Sequence, residues 1–368
     1  MNVDYFLLSH RKEIAIAAKE SGYDVTVIAG DTGMSDQIRA LGVHYISLPI
    51  NKAGKNIFDE IKTFLFLFFL YLRKRPCLIH HVGLKPITWG SLAARLLGIP
   101  CVNAVSGTGI LFEKENKKKL MTRAVSSVLR YSLHSKKARV IFQNTTDRDE
   151  FISNKIVKEE QTILIKGSGV DLEKIRYRNE SEINSDKIKI VFAGRMVEQK
   201  GIQVLVDAAK ILKPSYEKKI CFWLCGRLDT NPYSYTKAEI DSLCDGDYIR
   251  WLGHCEDIFA VMKQCHIMAF PSYYMEGLPK AVVDAEAVGL PVITCDSVGC
   301  RDTVIDGYNG FLIPIKDSKT LAEKIKKLVD DPDLRRNMGK NSRKYAEENF
   351  SVMDVVNKHL DIYTSLLN

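Results

Sequence analysis

Ile188-Lys189-Ile190-Val191-Phe192-Ala193-Gly194-Arg195-Met196-Val197-Glu198-Gln199-Lys200-Gly201 reads as one half of a βαβ unit. The run Ile188 to Ala193 has the composition of a strand buried on both faces. Gly194-Arg195 breaks it, and helical periodicity starts near Lys200. Two cations therefore stand at the carboxyl end of a strand, beside a helix N-terminus whose free N–H groups and dipole favour an anion such as phosphate. Taken alone, the segment is equally compatible with two solvated loop charges.

Short apolar runs of this kind alternate with helical patterns along the whole chain, the mark of parallel α/β construction. Expected strands are Asp24 to Ile28, His44 to Leu48, Cys77 to His81, Pro100 to Ala104, Val140 to Gln143 and Thr162 to Ile165 in the first half. In the second half they are Ile188 to Ala193, Ile220 to Cys225, Tyr248 to Leu252, Ile267 to Phe270 and Pro291 to Thr294. At about 100 to 200 residues per domain, the 368 residues predict two domains, each with its own core. The polar stretch from Gly167 to Asp186 has little periodicity and reads as the connection between them. A doubly wound domain opens on a buried strand, yet helical periodicity is reached by about Ser9, so only a stub of a first strand is expected. A start cut short or a very short strand both give such a stub and weaken the first domain.

The nine cysteines are odd in number, scattered and never in a CxxC pair, which argues against a disulfide framework or a zinc ribbon and for a reducing compartment. No basic segment followed by an apolar stretch opens the chain, so no secretory signal is expected. The longest apolar run, Phe64 to Leu72, falls far short of the roughly 20 residues of a spanning helix. Charge is uneven: residues 1–167 carry 25 basic and 15 acidic side chains, residues 168–368 carry 28 and 30. A basic first half suits a nucleic acid, an anionic membrane surface or a polyanionic substrate.

The second informative segment is Phe270-Pro271-Ser272-Tyr273-Tyr274-Met275-Glu276-Gly277-Leu278-Pro279-Lys280, followed by Ala281 to Val288 and the strand Pro291 to Thr294. Proline is tolerated in a first helical turn, so Glu276 to Leu278 form the loop at a helix N-terminus and Asp284 lies about one and a half turns inside. A carboxylate accepts hydrogen bonds from vicinal hydroxyls, and the amides of a Gly-Leu turn hold another polar group; sugars and riboses present both needs. The plainer reading is a capping Glu and a solvated Asp.

These segments together resemble the retaining nucleotide-sugar glycosyltransferases of glycosyltransferase family 4. Gly194-Arg195 with Lys200-Gly201, Pro271-Ser272 with Glu276-Gly277-Leu278-Pro279, Gly289 to Ile293, and Val298-Gly299-Cys300-Arg301-Asp302 with Asp306 to Leu312 carry the resemblance across residues 186–350. The first half matches more loosely through Asp4 to Arg11, Gly90 to Arg95, Ala104 to Gly107 and Phe142 to Asn144, and looks most like transferases of bacterial capsule, O-antigen and lipid-linked oligosaccharide assembly.

The resemblance implies the GT-B architecture, two Rossmann-like doubly wound domains with an interdomain cleft and a closing helix that returns to the first domain. The implied boundaries are an acceptor-binding domain over 1–168, a linker over 169–186, a nucleotide-sugar-binding domain over 187–350 and a closing helix over 351–368. It further implies that Gly194, Arg195 and Lys200 grip the donor diphosphate, that Glu276 and the Gly277-Leu278 amides hold the transferred sugar, and that Asp284 reaches the ribose. The family has Glu at this last place; Asp284 is one methylene shorter, and Glu286 lies about 200° around the helix and does not replace it. Many relatives carry a His after a middle strand of the first domain. Here Ser106 holds that place, leaving His10 as the first-domain candidate to approach donor phosphate or acceptor, against the plainer reading of a local cap.

Breaking a sugar–diphosphate bond leaves negative charge on phosphate and positive charge on the anomeric carbon, so fixed cations and helix-end amides supply the main electrostatic contribution. That logic calls for no metal and no cofactor beyond the donor itself. Asp245-Gly246-Asp247 and Asp147-Arg148-Asp149 mimic an Asp-x-Asp metal signature but lack convergent partners in the sequence. Gly107-Thr108-Gly109 and Gly167-Ser168-Gly169 are too short for a dinucleotide fingerprint.

Residues 117–137 form a basic amphipathic pattern, with Leu120, Met121, Val125, Leu129 and Leu133 on one stripe. With Phe64 to Leu72 and Arg73-Lys74-Arg75, it suits a first domain lying on an anionic leaflet, although both apolar faces also suit a core. The expected function is transfer of a hexose or N-acetylhexosamine from a nucleotide sugar, UDP-linked by resemblance, to a polyprenyl-diphosphate-linked glycan. The expected place is the cytoplasm, peripheral on the inner face of the membrane. A sugar-nucleotide epimerase of the same fold and a catalytically silent nucleotide-sugar binder are the alternatives. Nucleic-acid binding is disfavoured because the basic residues are not interleaved with aromatics.

Overall fold

The computed structural model describes residues 1–50, 57–107, 120–178, 183, 185–229 and 233–368. The chain divides into two compact units: unit 1 is Met1–Gly169 with Val352–Asn368, and unit 2 is Val170–Ser351.

Unit 1 runs α1 (Tyr5–His10), α2 (Lys12–Glu20), β1 (Thr26–Ala29), α3 (Ser35–Ala40), β2 (His44–Ser47), α4 (Ile57–Lys74), β3 (Ile79–Val82), α5 (Leu84–Leu96), β4 (Cys101–Val105), α6 (Leu120–Leu133), β5 (Ala138–Phe142), α7 (Thr145–Ser153) and β6 (Thr162–Leu164). Unit 2 continues with β7 (Ile188–Ala193), α8 (Ile202–Tyr216), β8 (Ile220–Cys225), α9 (Lys237–Leu243), β9 (Ile249–Gly253), α10 (Ile258–Met262), β10 (Ile267–Phe270), α11 (Lys280–Val288), β11 (Val292–Cys295), β12 (Gly310–Ile313), α12 (Ser318–Asp330) and α13 (Pro332–Asn349). The closing helix α14 (Val352–Leu367) belongs to unit 1, where the Tyr363 hydroxyl lies 2.7 Å from His80 Nδ1. The observed strands agree with the sequence expectation to within about two residues, and β12 is an addition. Its Gly310-Phe311-Leu312 is too short to show a period.

All six strands of unit 2 are parallel, in the order β12-β11-β10-β7-β8-β9. The central strands are apolar on both faces because helices cover both; Ile190, Val191, Phe192, Met268 and Ala269 are fully buried. The order reverses between β7 and β10. In an open doubly wound sheet this switch point leaves a crevice at the carboxyl ends of the strands, where the two following loops diverge.

Unit 1 has the same alternation but two separate parallel sheets, β1-β2 and β3-β4-β5-β6. Residues Met1 to Asp4 form no strand. Asp4 is fully buried and caps α1, its carboxylate accepting from the amides of Tyr5 at 2.7 Å, Thr32 at 2.8 Å and Met34 at 3.0 Å. Of the stretch 169–186, expected as a linker, the described residues from Val170 onward belong to unit 2: Val170 is buried and bridges Ser351, and Arg178 is buried with its amide on the Val288 carbonyl. Residues 179–182 and 184 lie outside the described residues.

Candidate functional site

The loops leaving β7 and β10 carry the two segments that the sequence singled out, and the switch point of unit 2 brings them together. Phe192 and Phe270 stack at 5.7 Å beneath them. The Gln199 carbonyl accepts from the Tyr273 and Tyr274 amides at 2.9 and 3.1 Å, tying the first loop to the second. Gly201 is what permits this approach: its φ is +79°, and a Cβ there would stand 2.1 Å from the Pro271 carbonyl oxygen. A similar constraint operates at the neighbouring strand end, where a Cβ on Gly226 would stand 1.6 Å from the Gly194 carbonyl oxygen.

At the junction the Lys200 ammonium donates to Glu276 Oε1. Both side chains are nearly buried, at 11% and 12% exposure, so this is a desolvated pair and not a surface contact. Ser272 Oγ donates to the same carboxylate oxygen at 3.1 Å, and Lys200 Nζ lies 5.1 Å above the Phe270 ring. Packing and hydrogen bonds thus fix a cation and an anion side by side.

Arg195 projects from the carboxyl end of β7 and pairs at 2.5 Å with Asp229, beyond the end of β8. Sequence reading missed Asp229. The signal for it was the repeat of the same pattern, a buried strand Ile220 to Cys225 running into Gly226-Arg227 and then a carboxylate. Gly194 contributes backbone only, its amide donating to the Cys225 carbonyl at 2.9 Å. The Leu278 side chain is buried in an apolar cluster with Val283 and Ala287, so its part in any ligand contact falls to its backbone.

Asp284 is buried on α11 and bonded to Lys280 one turn back at 2.7 Å. Burial pushes its carboxyl up, and the Lys280 ammonium pulls it back down. Glu286 faces elsewhere, as the helical angle requires: it is fully buried, accepts from Asn309 Nδ2 at 2.8 Å and is held well above the usual carboxylate range by that burial. It serves the turn before β12, where Asn309 also accepts from the Ile305 amide at 2.8 Å.

His10 differs from its expected setting. It ends α1 instead of opening a helix, stacks on Phe6 at 4.2 Å and lies 2.7 Å from Ser9 Oγ through Nδ1. It belongs to unit 1, and Arg195, Lys200, Glu276 and Asp284 belong to unit 2. His81 is a buried structural group between Asn103 at 2.9 Å and the Tyr71 hydroxyl at 3.2 Å. Of the two Asp-x-Asp decoys, Asp245 accepts from the Tyr248 and Ile249 amides at 2.8 and 3.0 Å and pairs with Lys213, building its own turn. Asp147 exchanges hydrogen bonds with Asn144 at the start of α7. Residues 108 and 109 of the short glycine motif lie outside the described residues, as do 117–119 of the basic helix and the side chains of Leu120 and Met121.

Residues 173–345 match the family of glycosyl transferases group 1, and residues 2–144 match the glycosyl transferase 4-like family. The chain is 30% identical to the N,N'-diacetylbacillosaminyl-diphospho-undecaprenol alpha-1,3-N-acetylgalactosaminyltransferase of Campylobacter jejuni, over 97% of this chain and 95% of that one. It is 26% identical to the UDP-Gal:alpha-D-GlcNAc-diphosphoundecaprenol alpha-1,3-galactosyltransferase of Escherichia coli, over 94% and 90%. Among solved structures, sucrose-phosphate synthase from Thermosynechococcus elongatus superposes with a TM-score of 0.78 at 20% identity, over 96% of this chain and 92% of that one. The fold is therefore GT-B. The epimerase and silent-binder alternatives draw no support from these proteins.

Proposed function

The chain belongs to the group 1, GT4-like glycosyltransferases, and from that premise we propose that it moves a hexose or N-acetylhexosamine from a UDP-sugar to a glycan carried on polyprenyl diphosphate, with retention at the anomeric carbon. The observation that carries the reading is the Lys200–Glu276 pair at the switch point of unit 2. A diphosphate seated there meets the Lys200 ammonium and the amides at the start of α8, and the adjacent Glu276 accepts from the sugar hydroxyls.

The chemistry follows from charge. As the bond to the sugar lengthens, negative charge grows on the departing phosphate, and a cation already fixed and desolvated stabilises it without reorganising. Glu276 holds Lys200 in place and orients the sugar. Arg195 leaves Asp229 to meet the second phosphate, and Asp284 is the carboxylate assigned to the ribose. A donor phosphate oxygen takes the acceptor proton on the front face, so no protein nucleophile is invoked, and the cations do what a metal would otherwise do. His10, on unit 1, keeps its candidate role toward the acceptor.

The acceptor reading follows the two relatives, whose names both specify diphospho-undecaprenol acceptors. It is supported by α4, where Ile57, Ile61, Leu65, Phe69 and Leu72 recur at helical spacing on an exposed face, with Phe58 beside them 74% exposed. Thr63, Leu67 and Tyr71 are buried on the opposite side, and Arg73-Lys74-Arg75 follows. An exposed apolar stripe ending in cations is what a peripheral anionic-leaflet contact requires. The second helix expected in that role does not share it: Leu129 and Leu133 of α6 are fully buried in the unit 1 core. Among the described residues no helix is long and apolar enough to cross a membrane.

The test is a panel of UDP- and GDP-sugars with polyprenyl-diphosphate-linked glycan, following nucleotide release and the glycolipid product. Transfer from one UDP-sugar that depends on the lipid acceptor is expected. Release from GDP-sugars alone, or no transfer at all, contradicts the reading.

A further inference from the structure

Unit 2 carries a second concentration of cations at the end of its sheet opposite the donor loops. Lys187 immediately precedes β7, Lys189 lies near the start of that strand, and Arg250 lies on β9. Lys189 is six residues before Arg195, so along an extended strand the two stand about 20 Å apart. Register partners in a sheet point to the same face, and here Lys189 partners Cys221 while Trp223, two residues on from Cys221, partners Arg250. Their neighbours Ile190, Phe222 and Ile249 point the other way and are buried.

A cleft of about 340 Å³ lies where these side chains meet, the size of a small-molecule site, and strand and loop residues line it without a helical residue among them. Trp223 gives it an apolar wall. Lys189 Nζ lies 4.4 Å from the centroid of that indole, and the Arg250 guanidinium is anchored by its Nε on the Gly246 carbonyl at 2.6 Å.

The charges around this cleft are incompletely matched. Lys187, its side chain only 28% exposed, pairs with Asp247 at 3.3 Å. Among the described residues no carboxylate pairs with Lys189 or Arg250, and Asp186, the other acidic residue at the cleft, is exposed. The three cations converge on one point: burial pushes the Cys221 thiol up, and Lys187, Lys189 and Arg250 together pull it back. Like charges held this close repel one another, and one paired carboxylate offsets only one of them. An oxyanion that accepts from an ammonium and a guanidinium at once supplies the missing counter-charge, and phosphate has the oxygens to do so.

We propose that this cleft binds a phosphate group, held by Lys189 and Arg250 with Lys187 beside them and with the Trp223 indole against the remainder of the ligand. It is a second anion site on unit 2, remote from the Lys200–Glu276 pair, and it does not rest on the proposed activity. A soluble phosphate compound and a phospholipid headgroup share this chemistry.

Inorganic pyrophosphate is titrated into the full chain while tryptophan fluorescence is followed, in the unaltered protein and in four variants: Lys189→Met with Arg250→Met, Trp223→Phe, Asp247→Asn and Lys200→Ala. A saturable fluorescence change is expected in the unaltered chain and in Lys200→Ala. It is expected to vanish in Trp223→Phe, to need at least about tenfold more pyrophosphate in the double variant, and to need less in Asp247→Asn, which frees Lys187. Sedimentation with vesicles of phosphatidic acid in phosphatidylcholine, lost in the double variant and unaccompanied by a pyrophosphate response, assigns the phosphate to a lipid. A response lost in Lys200→Ala but kept in the double variant places pyrophosphate at the switch point alone and overturns the proposal. So does a chain that shows neither a response at about 10 mM pyrophosphate nor sedimentation sensitive to the double variant.

Discussion

The Lys200 ammonium and the Glu276 carboxylate, 76 residues apart in sequence, share a hydrogen bond at the one point in unit 2 where neighbouring strands send their loops in opposite directions. Neither residue is held by its own loop alone. Gly201 lets the first loop touch the second, Ser272 fixes the carboxylate, and Phe270 floors the ammonium. The pair is therefore a property of the sheet order, and substitutions beneath it are expected to act on the same site.

Gly201→Ala is expected to lower kcat/KM by about tenfold or more with both charged residues intact. The left-handed backbone and the clash with the Pro271 carbonyl force the two loops apart by about 1 Å, and misplacement on that scale is costly in a preorganised site. Steady-state kinetics beside a thermal melt check it. Unchanged kcat/KM would show that the loop junction does not set the site.

Arg195→Ala is expected to raise the donor KM several-fold and to change folding stability by less than about 1 kcal/mol. The Arg195–Asp229 pair is about a third exposed on the arginine side, where solvent screening leaves little net stabilisation to lose. Isothermal titration with UDP and a denaturant melt separate the two effects. A large stability loss with unaltered donor affinity would make the pair structural.

Asp284→Asn is expected to weaken UDP binding by about tenfold if the carboxylate receives ribose hydroxyls, the scale of one charge-assisted hydrogen bond. Asp284→Glu, which restores the family's longer side chain, is expected to bind at least as well as the unaltered chain. Unaltered affinity in Asp284→Asn would confine the residue to its bond with Lys280.

The two segments that make the site were legible in the sequence because each is a buried strand ending in Gly or Pro and then a charge, a pattern visible within fifteen residues. Their meeting at one point was implied only by the family resemblance, since spacing cannot give strand order. Asp229 escaped because its role depends on β8 lying beside β7. The apolar helices of unit 1 were ambiguous for a related reason. Periodicity marks an apolar face but not what covers it, and the structure buries Leu129 and Leu133 while leaving Phe58 and Phe69 bare.

Phe58→Glu with Phe69→Glu is expected to abolish sedimentation with anionic vesicles at low salt while leaving transfer to a water-soluble acceptor analogue intact. Both side chains are more than half exposed, so the change costs the fold little. Equal sedimentation of the double variant would remove α4 from any membrane contact.

Unit 1 is expected to lose stability as pH falls from about 8 to about 4. Burial lowers the Met1 amino group to about 5 and His81 to about 4, so each binds a proton more readily in the unfolded chain. The stabilisation is complete above the unfolded values, near 8 and 6.5, and is lost as pH falls through the folded ones, on the order of a few kcal/mol in all. Thermal melts across pH check this, and acetylating the N-terminus should remove the upper part of the dependence. A flat profile would contradict the buried neutral groups.

The central claim is that a fixed cation and a fixed carboxylate seize the donor together, and the most direct measurement is single-turnover transfer by Lys200→Ala and Glu276→Gln alongside UDP affinity in each. Lys200→Ala is expected to lose both donor affinity and rate. Glu276→Gln is expected to retain UDP affinity within about threefold while its transfer rate falls by about a hundredfold or more. Transfer at the unaltered rate in either variant would contradict the assignment of the pair to the reacting centre.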